Sequence, residues 1–186
     1  MKYVFIIALA FLSLTTVNAQ NTINSEEGFT PQVGVLVSML NDLSNRLERT
    51  VQELDVDDID YLLDENANSI GTLIMHLAAT EKIYQVYTFE QREFNAEEEK
   101  EWGTAMSMGK DAQKKFTGKE VKEYLEQFKA VRAKTLEYLK DKDDAWLAEK
   151  TIDGNMNHHW AWFHVMEHQS SHLGQILLIQ KRIPQK

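Results

Sequence analysis

Residues 164 to 175 read His-Val-Met-Glu-His-Gln-Ser-Ser-His-Leu-Gly-Gln, with histidines at 164, 168 and 172. Imidazole binds zinc and other first-row divalent metals, and it exchanges protons near neutral pH. On a helix, residues four apart lie about 40° apart around the axis and about 6 Å along it, so neighbours in this row reach one ion. Residues eight apart are separated by about 12 Å, so His164 and His172 do not share one. Val165, Ile176, Ile179 and Ile183 mark the face that turns to a core. His172 projects among them, His168 stands at their margin, and His164 turns outward beside Glu167. The inner pair is His168 and His172.

A third ligand has to come from another helix. Outside this C-terminal segment the chain has one histidine, His76, at the rim of an apolar face beside Thr80, Ile83 and Tyr87. Facing helices of a bundle send side chains inward to a shared interior, where such folds build metal sites. Three histidines with an open position for water are a pattern of catalytic zinc, and imidazole suits nickel and iron as well. The plainer reading makes these histidines packing residues whose ring nitrogens are satisfied locally. His158 and His159 stand at the start of the segment and read as capping or solvent groups. The stretch His164 to His168 also matches the inverted zinc-peptidase pattern His-x-x-Glu-His, with Glu167 as base. That pattern needs an acidic ligand well downstream, and only 18 residues follow His168.

Four helices are needed to hold these residues. Proline occurs only at Pro31 and Pro184, so nothing between them forbids long helices. The first is expected from about Thr30, as N-cap, to Leu54, with a stripe of Val33, Leu36, Leu40, Leu43, Leu47 and Val51. The second opens after Ser69 and runs to about Phe89, with Ile70, Leu73, Ile74, Leu77 and Tyr84 on its apolar face. The charged stretch 90–116, interrupted by Gly103 and Gly109, is expected as a long crossover, partly helical. Thr117 and Glu120 have the spacing of a capping box for the third helix, which ends near Asp141. The fourth runs from Asn157 or His158 to about Arg182. The expected architecture is all-α: a four-helix bundle with a long crossover between helices two and three.

Two further properties bound the function. Residues 1–19 have one cation, Lys2, then an apolar run from Val4 to Leu12 and small residues at Val17 and Ala19, the layout of a secretory signal peptide. Its removal leaves residues 20–186 as the domain and the protein exported, to a periplasm or beyond the cell. The chain has no cysteine, so it uses neither disulfides nor a thiolate of its own. Formal net charge is −9, and loss of Lys2 with the leader makes it −10. An acidic chain without a basic block argues against nucleic acid and against anionic membrane surfaces as partners.

The segments Asn68 to Tyr84 and Phe163 to Ile179 together resemble the DinB-like superfamily of metal-binding four-helix bundles. The resemblance covers about Thr30 to Ile183 and rests on the helix-two histidine, the His168/His172 pair and the Gly174-Gln175 that follows. It implies an unusual crossover between helices two and three and a metal triad of His76, His168 and His172. It also implies a divalent metal, zinc first, with nickel, iron or manganese as alternatives, and homodimers. Some relatives are transferases or isomerases that use low-molecular-weight thiols such as bacillithiol or mycothiol. Many relatives have another histidine before the last ligand and an arginine after it; here Ser171 and Leu173 stand in those places. The expected function is that of a metal-dependent enzyme of hydrolase or transferase type acting on a small molecule. The alternatives are a non-catalytic metal-binding or stress-related module and a bundle whose histidines only pack.

Overall fold

A computed structural model describes residues 22–184. The expected leader lies outside these residues. Eight helices follow one another among them: α1 Pro31–Val51, α2 Val56–Asp60, α3 Ile70–Phe89, α4 Ala96–Ser107, α5 Gly109–Lys115, α6 Val121–Leu139, α7 Asp144–Ala148 and α8 His158–Gln180. No strand occurs among the described residues; a single antiparallel bridge joins Lys150 and Asn157.

The long helices start where the sequence provides caps. The Ser69 hydroxyl accepts from Thr72 N at the head of α3, and Asn157 accepts from Trp160 N at the head of α8. Thr30 precedes Pro31 at the head of α1, yet its own side chain makes no cap bond. It donates instead to Asp144 of α7, whose carboxylate also accepts from Gln32 N (2.9 Å) and Val33 N (3.2 Å). A carboxylate from a distant helix thus satisfies the first amides of α1. The expected capping box at Thr117 does not form. Glu120 is the N-cap of α6 and makes no side-chain cap bond, while Thr117 donates to Asp60 at 2.7 Å. A closer tertiary acceptor outcompetes the local one.

α3 is the central helix. It packs against α6, α8, α4 and α2, while α1 packs against α8, α6 and α7. Nearly every residue from Ile70 to Glu81 is buried, which is why α3 is apolar on all sides rather than along one stripe. Gly71 lets α6 approach: a Cβ there would stand 2.9 Å from Tyr124 Cζ and 3.2 Å from Ile59 Cγ2. α1 shows the single stripe expected of it, with Val33, Leu36, Leu40, Leu43, Leu47 and Val51 all buried.

The stretch 90–116 is more ordered than a solvated connection. Asn95 caps α4 in a capping box with Glu98, whose carboxylate also takes two hydrogen bonds from Arg92. Gly103 is buried within α4, and Gly109, at φ +71°, opens α5 after Met108 at φ +54°. Trp102 and Ala105 pack into the core beside α3. No helix among the described residues is long and apolar enough to cross a membrane.

Candidate metal centre

His76, His168 and His172 come together. One ring nitrogen from each lies within 4.8 Å of the other two. His76 Nε2 and His168 Nε2 are 2.9 Å apart, and the His76 and His172 ring centres stand 4.9 Å apart. The cluster exists because α3 and α8 pack directly on each other. His76 follows Leu73 by three positions on the buried helix, and His172 sits on the inner line of α8 with Val165, Gln169 and Ile176. His168, one turn before His172, is half-buried and borders a cavity.

The rings are held in forms that suit a cation. His76 Nδ1 donates to the Ala105 carbonyl at 2.9 Å, which leaves the Nε2 lone pair facing its partners. His172 Nδ1 stands 2.9 Å from Gln175 Oε1 and, by the same logic, donates there. Burial pushes the His76 imidazole below its ordinary value. His168 is pushed down to about 4, by burial first and then by its histidine neighbours. Ligation needs neutral imidazoles, and these two are neutral at physiological pH. Nitrogens around a tetrahedral zinc ion stand about 3.3 Å apart, given bonds of 2.0–2.1 Å, so the donor set fits a divalent ion with small adjustment.

A cavity of about 340 Å³ opens on His76 and His168. α3 contributes Thr80, Ile83, Tyr84 and Tyr87 to it, α4 contributes Met106, and α8 contributes His164. Met156 comes from the loop before α8, where Thr151 N bonds to Met156 O at 3.0 Å and Gly154 turns at φ +72°. That loop faces α3: the Asp153 carboxylate near the Tyr87 hydroxyl raises the phenol's pKa, and the acid's own is lowered. α4 therefore supplies both a wall of the site and the carbonyl that orients His76.

His164 stays out of the triad. It stacks on Trp160 with ring centres 5.2 Å apart, and its Nδ1 lies 3.2 Å from Glu167. Glu167 is exposed, as its outward position on the helix implies. His158 is not the solvent or capping group expected of it. It is 1% exposed, its Nδ1 donates to the Trp146 carbonyl at 2.9 Å, and its ring stacks on Trp146. Burial lowers its pKa. Asn157, one position earlier, caps the helix.

A buried ionic network beside the triad has no counterpart in the sequence reading. Arg132 of α6 donates to both Glu81 oxygens, to Gln169 Oε1, to Ser44 and to the Leu40 carbonyl. Thr135 adds a bond to Glu81, and Gln85 bonds to Thr135 and to the Val131 carbonyl. The network joins α1, α3, α6 and α8. One signal was available: Arg132 follows Phe128 by four and Glu81 follows Leu77 by four, so each is a lone charge on an apolar stripe.

All-helical, with three histidines of two helices brought together, the chain is by its family match a member of the DinB/YfiT-like superfamily. Within it, the family described as mycothiol-S-transferase matches residues 35–184, and the chain belongs to that family. Among solved structures, a conserved protein of a locus from Enterococcus faecalis superimposes with a TM-score of 0.62 at 15% identity. The match covers 79% of this chain and 94% of that one, and it bears on the fold alone. No curated protein matches significantly.

Proposed function

We propose that the protein is a metal-dependent enzyme of the transferase or hydrolase type, with His76, His168 and His172 as the ligands of one divalent transition metal, zinc first. The observation that carries this reading is the convergence of the three imidazoles at the edge of a cavity, two of them with the lone pair directed inward by a partner at Nδ1. In the same reading α1, α3, α6 and α8 form a four-helix bundle, with α4 and α5 as the long crossover. A bound ion would act as a Lewis acid on a substrate oxygen or sulfur, or acidify a bound water.

The protein's own residues divide the remaining work. Glu81, five residues after His76, is committed to Arg132 and so does not serve as a base. His164 borders the cavity, and Glu167 holds its Nδ1, which leaves Nε2 to exchange a proton with a bound ligand. Family membership favours transfer to or from a small thiol over hydrolysis. The test is turnover by metal-loaded and metal-stripped protein with thiol acceptors, esters and lactams. Metal-dependent turnover of any one class supports the enzyme reading. Stoichiometric metal without turnover favours the non-catalytic module.

We further infer export from the Lys2, Val4–Leu12 and Val17-x-Ala19 pattern. N-terminal sequencing of protein made in a secreting host tests this, with Gln20 as the expected first residue. An intact Met1 would contradict it.

A further inference from the structure

We propose that the cavity beside the three histidines takes an uncharged, largely apolar group of one or two rings, selected by Ile83, Tyr84, Tyr87, Met106 and Met156. This rests on the reading of that cavity as the substrate site and names what the site admits.

Size sets the first limit. At about 340 Å³ the cavity is at the small end of the roughly 300–1,000 Å³ found for small-molecule sites. A cavity of about 150 Å³ already holds benzene, so this one has room for a small molecule of one or two rings with short substituents, not for a peptide.

Charge sets the second. No lysine, arginine, aspartate or glutamate is among the described residues that border it. The nearby charges are committed elsewhere. Arg132 is taken up by Glu81, Gln169, Ser44 and the Leu40 carbonyl. Asp153 accepts from Thr151 and Asn155, and Glu167 faces His164. Burial pushes the Tyr84 phenol up, so that hydroxyl is neutral at physiological pH. A carboxylate or phosphate on the entering group would find no lysine or arginine on these walls, and an ammonium no carboxylate, so either would lose its hydration without an oppositely charged side chain to replace it.

The wall chemistry sets the third. Thr80 directs its hydroxyl to the Met106 sulfur at 3.9 Å, so one of the hydroxyls the sequence places there is used up. Beside the rings of His76, His164 and His168, what remains is aliphatic carbon, two tyrosine rings and two thioethers. Thioether sulfur packs favourably against aromatic rings and adapts its shape to them, which favours a ring over a branched chain.

The test uses purified protein with ¹³C-methyl methionine and three probes of equal size: benzamide, benzoate and benzylamine. It is run first on metal-stripped protein, because a bound cation would itself attract benzoate. Benzamide is expected to shift the methyl signals of Met106 and Met156 at a concentration about tenfold lower than either charged probe. Met156→Lys, in the loop, is expected to weaken benzamide and turn the preference towards benzoate. Equal or tighter binding of a charged probe, or no shift with any of the three, would overturn the proposal. Selective benzamide binding by a protein that takes up no metal would sink the metal reading and leave this one standing. One equivalent of metal without benzamide selectivity would do the reverse.

Discussion

Arg132 Nε and Nη2 each donate to a different oxygen of the Glu81 carboxylate at 2.8 Å, and both side chains are almost wholly buried. The pair links α6 to α3, and Gln169 extends it to α8 through a 2.9 Å bond. Glu81 shares α3 with His76, and Gln169 adjoins His168, so the network touches both helices that carry the clustered histidines. Desolvating two charges offsets most of their attraction, but removing one leaves the other stranded. Arg132→Met should therefore lower the unfolding free energy by about 3–5 kcal/mol, and the double variant Glu81→Leu/Arg132→Met should recover part of the loss. Urea denaturation checks both. A double variant less stable than either single one would contradict the assignment of a stranded charge.

His164 and His168 are one helical turn apart but have different roles. His168→Ala should abolish metal binding. His164→Ala should keep the metal and lower turnover by about 10²–10⁴-fold if its ring carries the proton. Metal content and rate, measured on the same preparations, separate the two. Retained metal in His168→Ala with loss in His164→Ala would favour the inverted peptidase pattern instead.

Acid should destabilise the fold well before the carboxylates titrate. His158 is buried with its pKa lowered from 6.5, and His76 and His168 are shifted the same way. The unfolded chain takes up these protons below about pH 6.5, while the folded one resists down to its lower pKa values. Stability should be level above that point and fall steadily beneath it. Urea midpoints at about pH 7.5 and about pH 5 test this, with the lower midpoint expected at the acid end. Equal midpoints would contradict it.

Gly71 is a packing requirement. A Cβ there meets the Tyr124 ring at 2.9 Å, and Tyr124 is fully buried and cannot swing away. Alanine favours a helix over glycine by about 1 kcal/mol, but overpacking a core costs about 1–3 kcal/mol. Gly71→Ala should be destabilising on balance, lowering the thermal midpoint by several degrees for a domain of this size. A rise in the midpoint would show that α6 gives way.

The long helices were legible because their caps and stripes are local. Ser69 and the Val33–Val51 stripe act within a few residues of themselves, and local pattern reports that directly, whereas the cap at Asn157 emerged only from the structure. The triad was legible for a related reason: the helical angle between His168 and His172 picks the inner pair, and His76 is the remaining histidine on another helix. Thr117 was misread because its acceptor, Asp60, is distant in sequence. His158 was misread because a tryptophan from α7 covers it. The roles of α4 and of Met156 depend on which helix the chain crosses, and no local pattern in 90–116 encodes that. Arg132 and Glu81 left a trace, one charge on each apolar stripe, but their pairing is a tertiary fact.

The most direct test of the central claim is elemental analysis of the protein, purified without a histidine tag, beside His76→Ala. About one equivalent of a transition metal in the native protein, lost in the variant, is the result predicted by a site built from α3 and α8. No metal in either protein after loading with zinc, nickel, manganese and iron would contradict it and make the three histidines a packing cluster.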